Sequence, residues 1–364
     1  MTDKKLKVGI LFGGKSAEHE VSLQSAKNVA DAIDANKYDV ALIGINKCGD
    51  WLLPDQSHFL LNAADPKLIQ LNSENQKSVA LVPQSGGELS NLSAGGVHSS
   101  IDVVFPILHG PFGEDGTVQG LLKLAGVPFV GSGVIGSAAG MDKDVMKRLL
   151  RDAGIPIAKS LTCRHGDVLD YEAICNEIGL PLFIKPANMG SSVGVHKVSS
   201  RETFDEAVLD AFSYDTKILI EEFVDGRELE CAVLGNLRPE VSVVGEIKPS
   251  HDFYSYEAKY LDEHGAALEI PADIPDAVSD KIRDLAVRTF QTLECEGLGR
   301  VDCFLKSDGE IIVNEINTMP GFTQISMYPR LWEASGVSYP DLIDKLIELG
   351  LERFEREQKL KTSF

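Results

Sequence analysis

The sequence predicts a chain of mixed α/β and α+β class, built as three pieces in series. Three observations predict it. Strand-like and helix-like runs alternate through the first part, a βαβ rhythm that implies a mostly parallel sheet. From Leu182 onward the strand-like runs read as antiparallel. At 364 residues the chain is also too long for one ordinary core and suits two or three domains.

The elements follow in order. Residues 7–12 form a strand, and Ser16 can cap a helix running to about Ala35. Residues 40–45 and 103–108 are the next strands, followed by a helix over about 116–125 and a short strand near Phe129. Residues 85–100, rich in Gly, Ser and Asn, read as a surface loop. The texture changes around Gly131-Ser132-Gly133, and a new helix starts near Met141. Strands are expected at 183–185, 193–198, 218–223 and 228–233, then a long amphipathic helix over 277–293, a final hairpin and amphipathic C-terminal helices whose apolar face carries Leu342, Ile343, Leu346 and Ile347.

The formal net charge of −20 excludes a sequence-independent nucleic-acid binder, which must neutralise phosphates with Lys and Arg. No apolar run approaches the roughly 18 residues of a membrane span, and the apolar run at 8–12 is too short for a secretion signal. The cysteines Cys48, Cys163, Cys175, Cys231, Cys295 and Cys303 are scattered without a C-x-x-C pair, as expected of reduced thiols in a cytosolic enzyme.

Residues 9–16 read G-I-L-F-G-G-K-S, a literal match to the pattern G-x-x-x-x-G-K-[ST]. A phosphate loop needs its four intervening residues as a turn, whereas Ile10, Leu11 and Phe12 here are the buried end of a strand. What remains is a strand, a Gly-Gly turn and a helix start that carries Glu18. That carboxylate either enters the crevice at the sheet's carboxyl edge or merely complements the helix dipole.

The strongest signal is the stretch 299–317. Two strand-like runs flank Ser307-Asp308-Gly309-Glu310, and Asp-Gly is a two-residue hairpin turn signal. That turn places Asp302 opposite Glu315 and Arg300 opposite Asn317. Alternation puts Val301, Cys303, Leu305, Ile312 and Ile316 on a core face, and Arg300, Asp302, Glu315 and Asn317 on the other. Two carboxylates and an amide oxygen at cross-strand distance suit Mg²⁺ or Mn²⁺; a solvated face with Arg300 paired to a carboxylate is the alternative. Asn314 falls on the core face in this register, against the alternation.

The strand at 183–185 runs into Pro186-Ala187-Asn188-Met189-Gly190-Ser191-Ser192, a loop joining two strands. Its N–H groups and hydroxyls suit a triphosphate, with Lys185 supplying charge. The apolar Ile218-Leu219-Ile220 ends in Glu221-Glu222-Phe223-Val224, a strand end fit for a base and a ribose.

These motifs together resemble an ATP-grasp fold with an N-terminal Rossmann-like domain. With Ser16-Ala17-Glu18-His19-Glu20-Val21-Ser22, His109-Gly110-Pro111-Phe112-Gly113-Glu114-Asp115-Gly116, Tyr256-Glu257-Ala258-Lys259-Tyr260, Gly299-Arg300-Val301-Asp302 and Asn314-Glu315-Ile316-Asn317-Thr318-Met319-Pro320-Gly321, the chain resembles the D-alanine–D-alanine ligase family over nearly its whole length. The resemblance implies pieces spanning 1–140, 141–224 and 225–364, ATP with two Mg²⁺ or Mn²⁺ ions, D-alanine as substrate, a homodimer, and no membrane or nucleic-acid partner. It implies that Lys143, Lys185, Ser191, Ser192, Glu221, Glu222, Phe223, Val224, Glu228, Phe253, Lys259, Asn314 and Glu315 bind the nucleotide, and that Asp302, Glu315 and Asn317 hold the metals. Glu18 binds the first ammonium with His109 nearby, Lys259 and Ser326 hold the second carboxylate, and Arg300 with the Gly321 N–H receives the oxyanion. Glu18, Ser191 and Tyr260 form a hydrogen-bonded set that closes a lid over the site.

Two positions depart from some relatives: Met189 stands where they carry Glu, and Glu222 where they carry Lys. The rival expectations are a ligase joining D-alanine to D-lactate or D-serine, against which Tyr260 argues, and a nucleotide-binding regulator without catalysis.

Overall fold

The computed structural model describes residues 4–54, 59–63, 65, 68–72, 76–92, 95–249 and 266–361. The first part holds β1 (Leu6–Gly13), α1 (His19–Ala32), β2 (Tyr38–Ile45), β3 (Trp51–Leu53), β4 (Leu60–Leu61), β5 (Gln70–Leu71), β6 (Lys77–Leu81), β7 (Glu88–Asn91), β8 (Val97–Ser100), β9 (Val103–Ile107), α2 (Thr117–Ala125) and α3 (Val134–Met141). The sheet order is β8-β7-β6-β3-β2-β1-β9. The expected parallel sheet is its β2-β1-β9 side, while an antiparallel wing of short strands extends it. Strands joined without a crossover helix can pair only in that sense.

Three local expectations are corrected. The first helix starts at His19, not after Ser16; the Ser16 hydroxyl instead accepts the Glu18 N–H at 3.2 Å, closing a turn in front of the helix. Residues 85–100 are not a loop but contain β7 and β8. In β7 the burial alternates, with Leu89 fully buried, so period-two patterning outweighed the polar composition there. The helix expected from Met141 is α4 (Lys143–Asp152), capped by Asp142, which accepts the N–H groups of Asp144 and Val145. The Gly-rich α3 before it gave no propensity signal.

The middle part contains β10 (Ser160–Arg164), α5 (Tyr171–Ile178), β11 (Leu182–Pro186), β12 (His196–Val198), α6 (Arg201–Tyr214) and β13 (Lys217–Glu222), with an antiparallel sheet ordered β10-β13-β11-β12. β12 begins three residues later than expected, because Ser191, Ser192 and Gly194 take φ values of 49°, 59° and 68° that no strand can hold. The last part contains β14 (Gly226–Gly235), β15 (Glu240–Pro249), β16 (Ala266–Glu269), α7 (Asp276–Thr292), β17 (Gly297–Lys306), β18 (Ile311–Asn317), α8 (Met327–Ala334) and α9 (Tyr339–Gln358), with a sheet ordered β16-β15-β14-β17-β18.

The β17–β18 hairpin places Arg300 opposite Asn317 and Asp302 opposite Glu315, as expected. It does so by a different route. The turn spans three residues: the Lys306 N–H bonds the Glu310 carbonyl at 2.9 Å, and Gly309 takes φ +87°. That shifts the pairing by one, so Cys303 faces Val313 and Leu305 faces Ile311. A bulge at Asn314 then restores the register before Glu315. Ile312 therefore leaves the expected core face, where Ile311 and Val313 join Val301, Cys303 and Ile316. Asn314 is the extra residue of the bulge, which accounts for its misfit to simple alternation.

One core joins the first sheet (Val8, Ile10, Phe105) to the third (Ala232, Leu298) through α8 and α9, including Tyr328, Trp332, Leu342 and Leu346. The buried Arg353 of α9 reinforces this junction, donating to the carbonyls of Gly131 and Phe129 and lying 4.2 Å from the Phe129 ring centroid. A second core packs α4 and α7 on the third sheet. The middle sheet has a core of its own with α5 and α6, built on Ile184, Phe204 and Ile220.

Candidate active site

The cleft between the middle and third sheets is a cavity of ≈ 530 Å³. Lys143, Lys185, Ser191, Ser192, Glu221, Glu222, Phe223, Val224, Glu228, Asp302, Asn314 and Glu315 all line it. Residues expected to serve one nucleotide, dispersed over 170 positions of sequence, thus share one wall. The loop over it is strained: Ser191 and Ser192, two successive non-glycine residues in the left-handed region, cost roughly 1–3 kcal/mol each, and both line the cavity.

The floor carries a buried charge network. Glu221 is ion-paired with both Lys147 and Lys185. Burial opposes its charge, but the two ammonium groups outweigh it and hold the Glu221 carboxyl below the ordinary range. Burial lowers Lys147 in turn. Lys143, at the start of α4, donates to the Met189 carbonyl at 2.7 Å and lies 3.6 Å from Glu315. Met189 thus contributes its backbone, whatever its side chain. The Glu222 carboxylate, at the cavity wall, accepts the Lys159 N–H at 2.7 Å. Phe223 lies 6.1 Å from Phe183 between ring centroids, with the Lys197 ammonium 4.2 Å over its ring.

At the hairpin, the Arg300 guanidinium donates to both oxygens of Asp302 at 2.7 Å and pairs with Glu230 at 2.9 Å. The Asn317 amide donates to Asp302 at 2.9 Å. Glu230, Asp302 and Glu315 stand in a row across three neighbouring strands, and such a row repels itself unless cations intervene. The arginine pairing anticipated as the alternative is therefore present. Among the described residues no three His, Cys, Asp or Glu side chains converge on one point. The donor set of Asp302, Glu315 and Asn317 is nonetheless all hard oxygen, and Asp302 and Glu315 line a cavity with room for a triphosphate, whose oxygens could complete a Mg²⁺ or Mn²⁺ shell.

The first and middle parts meet at Glu18. Its carboxylate, 7% exposed, accepts the Ser191 hydroxyl. Two glycines make room for it: a Cβ on Gly190 would lie 2.8 Å from Glu18 Oε2, and one on Gly110 2.7 Å. Next to it, Glu114 accepts the N–H groups of Gly110 at 2.7 Å and Met319 at 2.9 Å. Burial and then the nearby Glu18 charge push the Glu114 carboxyl up to about 8. His109 is buried and both ring nitrogens are engaged, Nδ1 with the Met319 carbonyl at 2.9 Å and Nε2 with Ser25 at 3.3 Å. Burial holds it below its ordinary value, hence neutral. Gly321 lies beside Ser326, whose Oγ would be 3.2 Å from a Cβ placed there and which accepts the Thr323 N–H at 3.1 Å.

Phe253, Tyr254, Lys259 and Tyr260 lie outside the described residues. Lys147, Glu230, Glu114 and Ser25 were not singled out from the sequence. Lys147 was within reach of it, being one helical turn beyond Lys143. Glu114 sits inside the His109 motif without a role assigned, while Glu230 and Ser25 carry no local signal. All six cysteines are free, and burial pushes Cys231 and Cys295 up to about 12.

The family models "D-ala D-ala ligase N-terminus" and "D-ala D-ala ligase C-terminus" match residues 7–132 and 149–348. A curated D-alanine–D-alanine ligase of Oceanobacillus iheyensis is 58% identical over 364 residues, covering 99% of each chain. Among solved structures, the D-alanine–D-alanine ligase of Coxiella burnetii matches with a TM-score of 0.85 and 37% identity, covering 98% of this chain and 96% of its own. The VanG D-Ala:D-Ser ligase of Enterococcus faecalis matches at 0.83 and 38%, covering 95% and 100%.

Proposed function

Because this chain belongs to the D-alanine–D-alanine ligase family, we propose that it joins two D-alanine molecules at the expense of ATP, through a D-alanyl phosphate, to supply a peptidoglycan precursor. One observation carries the chemistry. Glu18 of the first part is hydrogen-bonded to Ser191 of the phosphate-covering loop, so a site for an ammonium adjoins a site for phosphates. An amino acid bound with its ammonium at Glu18 points its carboxylate at the γ-phosphate. The close D-Ala:D-Ser neighbour shows that the fold alone does not choose the second substrate; the higher identity to the D-alanine–D-alanine ligases supports D-alanine.

In this reading the first D-alanine carboxylate attacks the γ-phosphorus and ADP leaves. Lys143 and Lys185 hold the phosphates, and the strand end from Glu221 to Val224 with Glu228 holds base and ribose. Asp302, Glu315 and Asn317 hold Mg²⁺ or Mn²⁺, which when bound neutralises charge on the phosphates. The second D-alanine, its carboxylate on Lys259 and Ser326, attacks the acyl carbon through its amine. Arg300 and the Gly321 N–H receive the oxyanion, and phosphate departs. The resemblance assigns the exclusion of water to Tyr260 with Glu18 and Ser191. The resemblance further supports a cytoplasmic homodimer.

With D-alanine labelled by ¹⁸O in its carboxylate, one labelled oxygen is expected in the released phosphate and one in the new amide. Phosphate free of label would rule out the acyl phosphate.

A further inference from the structure

Gly321 is not held in place by its own sheet. The residues on either side of it are tied to the first part of the chain. His109 Nδ1 meets the Met319 carbonyl at 2.9 Å, and a carbonyl only accepts, so Nδ1 carries the proton. In the neutral ring Nε2 is then an acceptor, and the Ser25 hydroxyl, 3.3 Å away, donates to it. Ser25 Oγ in turn accepts the Phe322 N–H at 3.3 Å. The bonds run in one direction, from the Phe322 N–H through Ser25 and His109 to the Met319 carbonyl, and bracket Pro320 and Gly321. The Met319 N–H is taken by Glu114, whose other oxygen holds Gly110 beside Glu18.

We infer that Ser25, His109 and Glu114 are positioning residues that aim the Gly321 N–H at the oxyanion and couple it to the first amino-acid site. The inference rests on the ligase reading above. It reassigns His109: both of its nitrogens serve the bracket, which leaves none for the first substrate. It also gives the two steps different needs. Phosphoryl transfer to the first carboxylate does not use the Gly321 N–H, whereas attack on the acyl carbon does. A donor misplaced by about 1 Å can cost on the order of a hundredfold.

The test uses the full chain as Ser25→Ala and as Glu114→Gln, with ATP, Mg²⁺ and D-alanine. Each carboxyl oxygen keeps acceptor capacity even when one is protonated, whereas the NH₂ end of a Gln amide only donates, so Gln cannot accept from both the Gly110 and Met319 N–H groups. Two rates are read: dipeptide formation, and exchange of ¹⁸O from the β,γ-bridge of ATP into the non-bridging positions of the β-phosphate, which reports the first step alone. Dipeptide formation is expected to fall about tenfold to a hundredfold in both variants, with the exchange rate at saturating D-alanine kept. Equal losses in both rates, or no loss in either, would overturn the inference. Should Ser25→Ala not fold, as judged by its thermal melt, the isosteric Glu114→Gln decides alone. A wild-type chain that makes no dipeptide is a separate failure, that of the ligase reading itself.

Discussion

At the scale of residues, two buried groups make the account quantitative. Glu114 is held near 8 by burial and by the Glu18 charge, so it is mostly protonated at pH 7. An ammonium arriving at Glu18 offsets that charge and lowers Glu114 toward the ordinary carboxylate range. Binding of the first amino acid should therefore release a proton, and its affinity should rise from pH 6 toward 8 and level off above. Calorimetry in two buffers of different ionisation enthalpy reads this directly; a buffer-independent heat would contradict it. Lys147 is the second case. Removing one partner of a buried ion pair is costly because the other charge remains, so Lys147→Met should lose about 3 kcal/mol of stability in denaturant unfolding. It should also weaken ATP binding, since Glu221 is left to Lys185 alone and competes with phosphate for it. Unchanged stability and ATP affinity would remove Lys147 from the site. At this scale the sequence offered twelve of the residues that line the cavity, because they sit in contiguous runs. It did not show Glu230 or Ser25, whose partners are 70 and 84 positions away.

At the scale of elements, the β17–β18 hairpin is instructive. The pairing of Asp302 with Glu315 was legible, yet for a reason only half right: a three-residue turn displaced the register by one, and the bulge at Asn314 displaced it back. Asp-Gly signals a turn but not its length, and no periodicity argument can see two shifts that cancel. The bulge has a use, since it adds one more polar side chain to the cavity wall without moving Asp302 from Glu315. Deletion of Asn314 should then leave a regular hairpin with the same pair, a melting temperature within a few degrees of the parent, and weakened ATP binding. Loss of the fold, or undiminished ATP affinity, would show that the bulge serves another purpose. The strand β7 teaches the opposite lesson, that polar composition conceals a strand whose inward residues, Leu89 and Asn91, are buried.

At the scale of the whole molecule, the cores explain how the chain divides its work. The first and third sheets are fused by α8 and α9 into one continuous core, while the middle sheet folds around its own. The fused pair sets Glu18 beside Glu114, whose carboxyl also holds the Met319 N–H near Gly321, and the middle piece carries the loop whose Ser191 bonds Glu18. The antiparallel pairing of the later strands was readable from the change of rhythm at Leu182. The fusion of the first with the third was not, because it depends on C-terminal helices packing on strands some 300 positions earlier. The central claim is that this assembly condenses two molecules of D-alanine. The purified chain, supplied with ATP and Mg²⁺ and with D-alanine alone or paired with D-serine, D-lactate or L-alanine, should release phosphate with D-alanine alone and form D-alanyl-D-alanine in equal amount. Phosphate release that needs D-serine or D-lactate as a second component, or none with D-alanine alone, would contradict it.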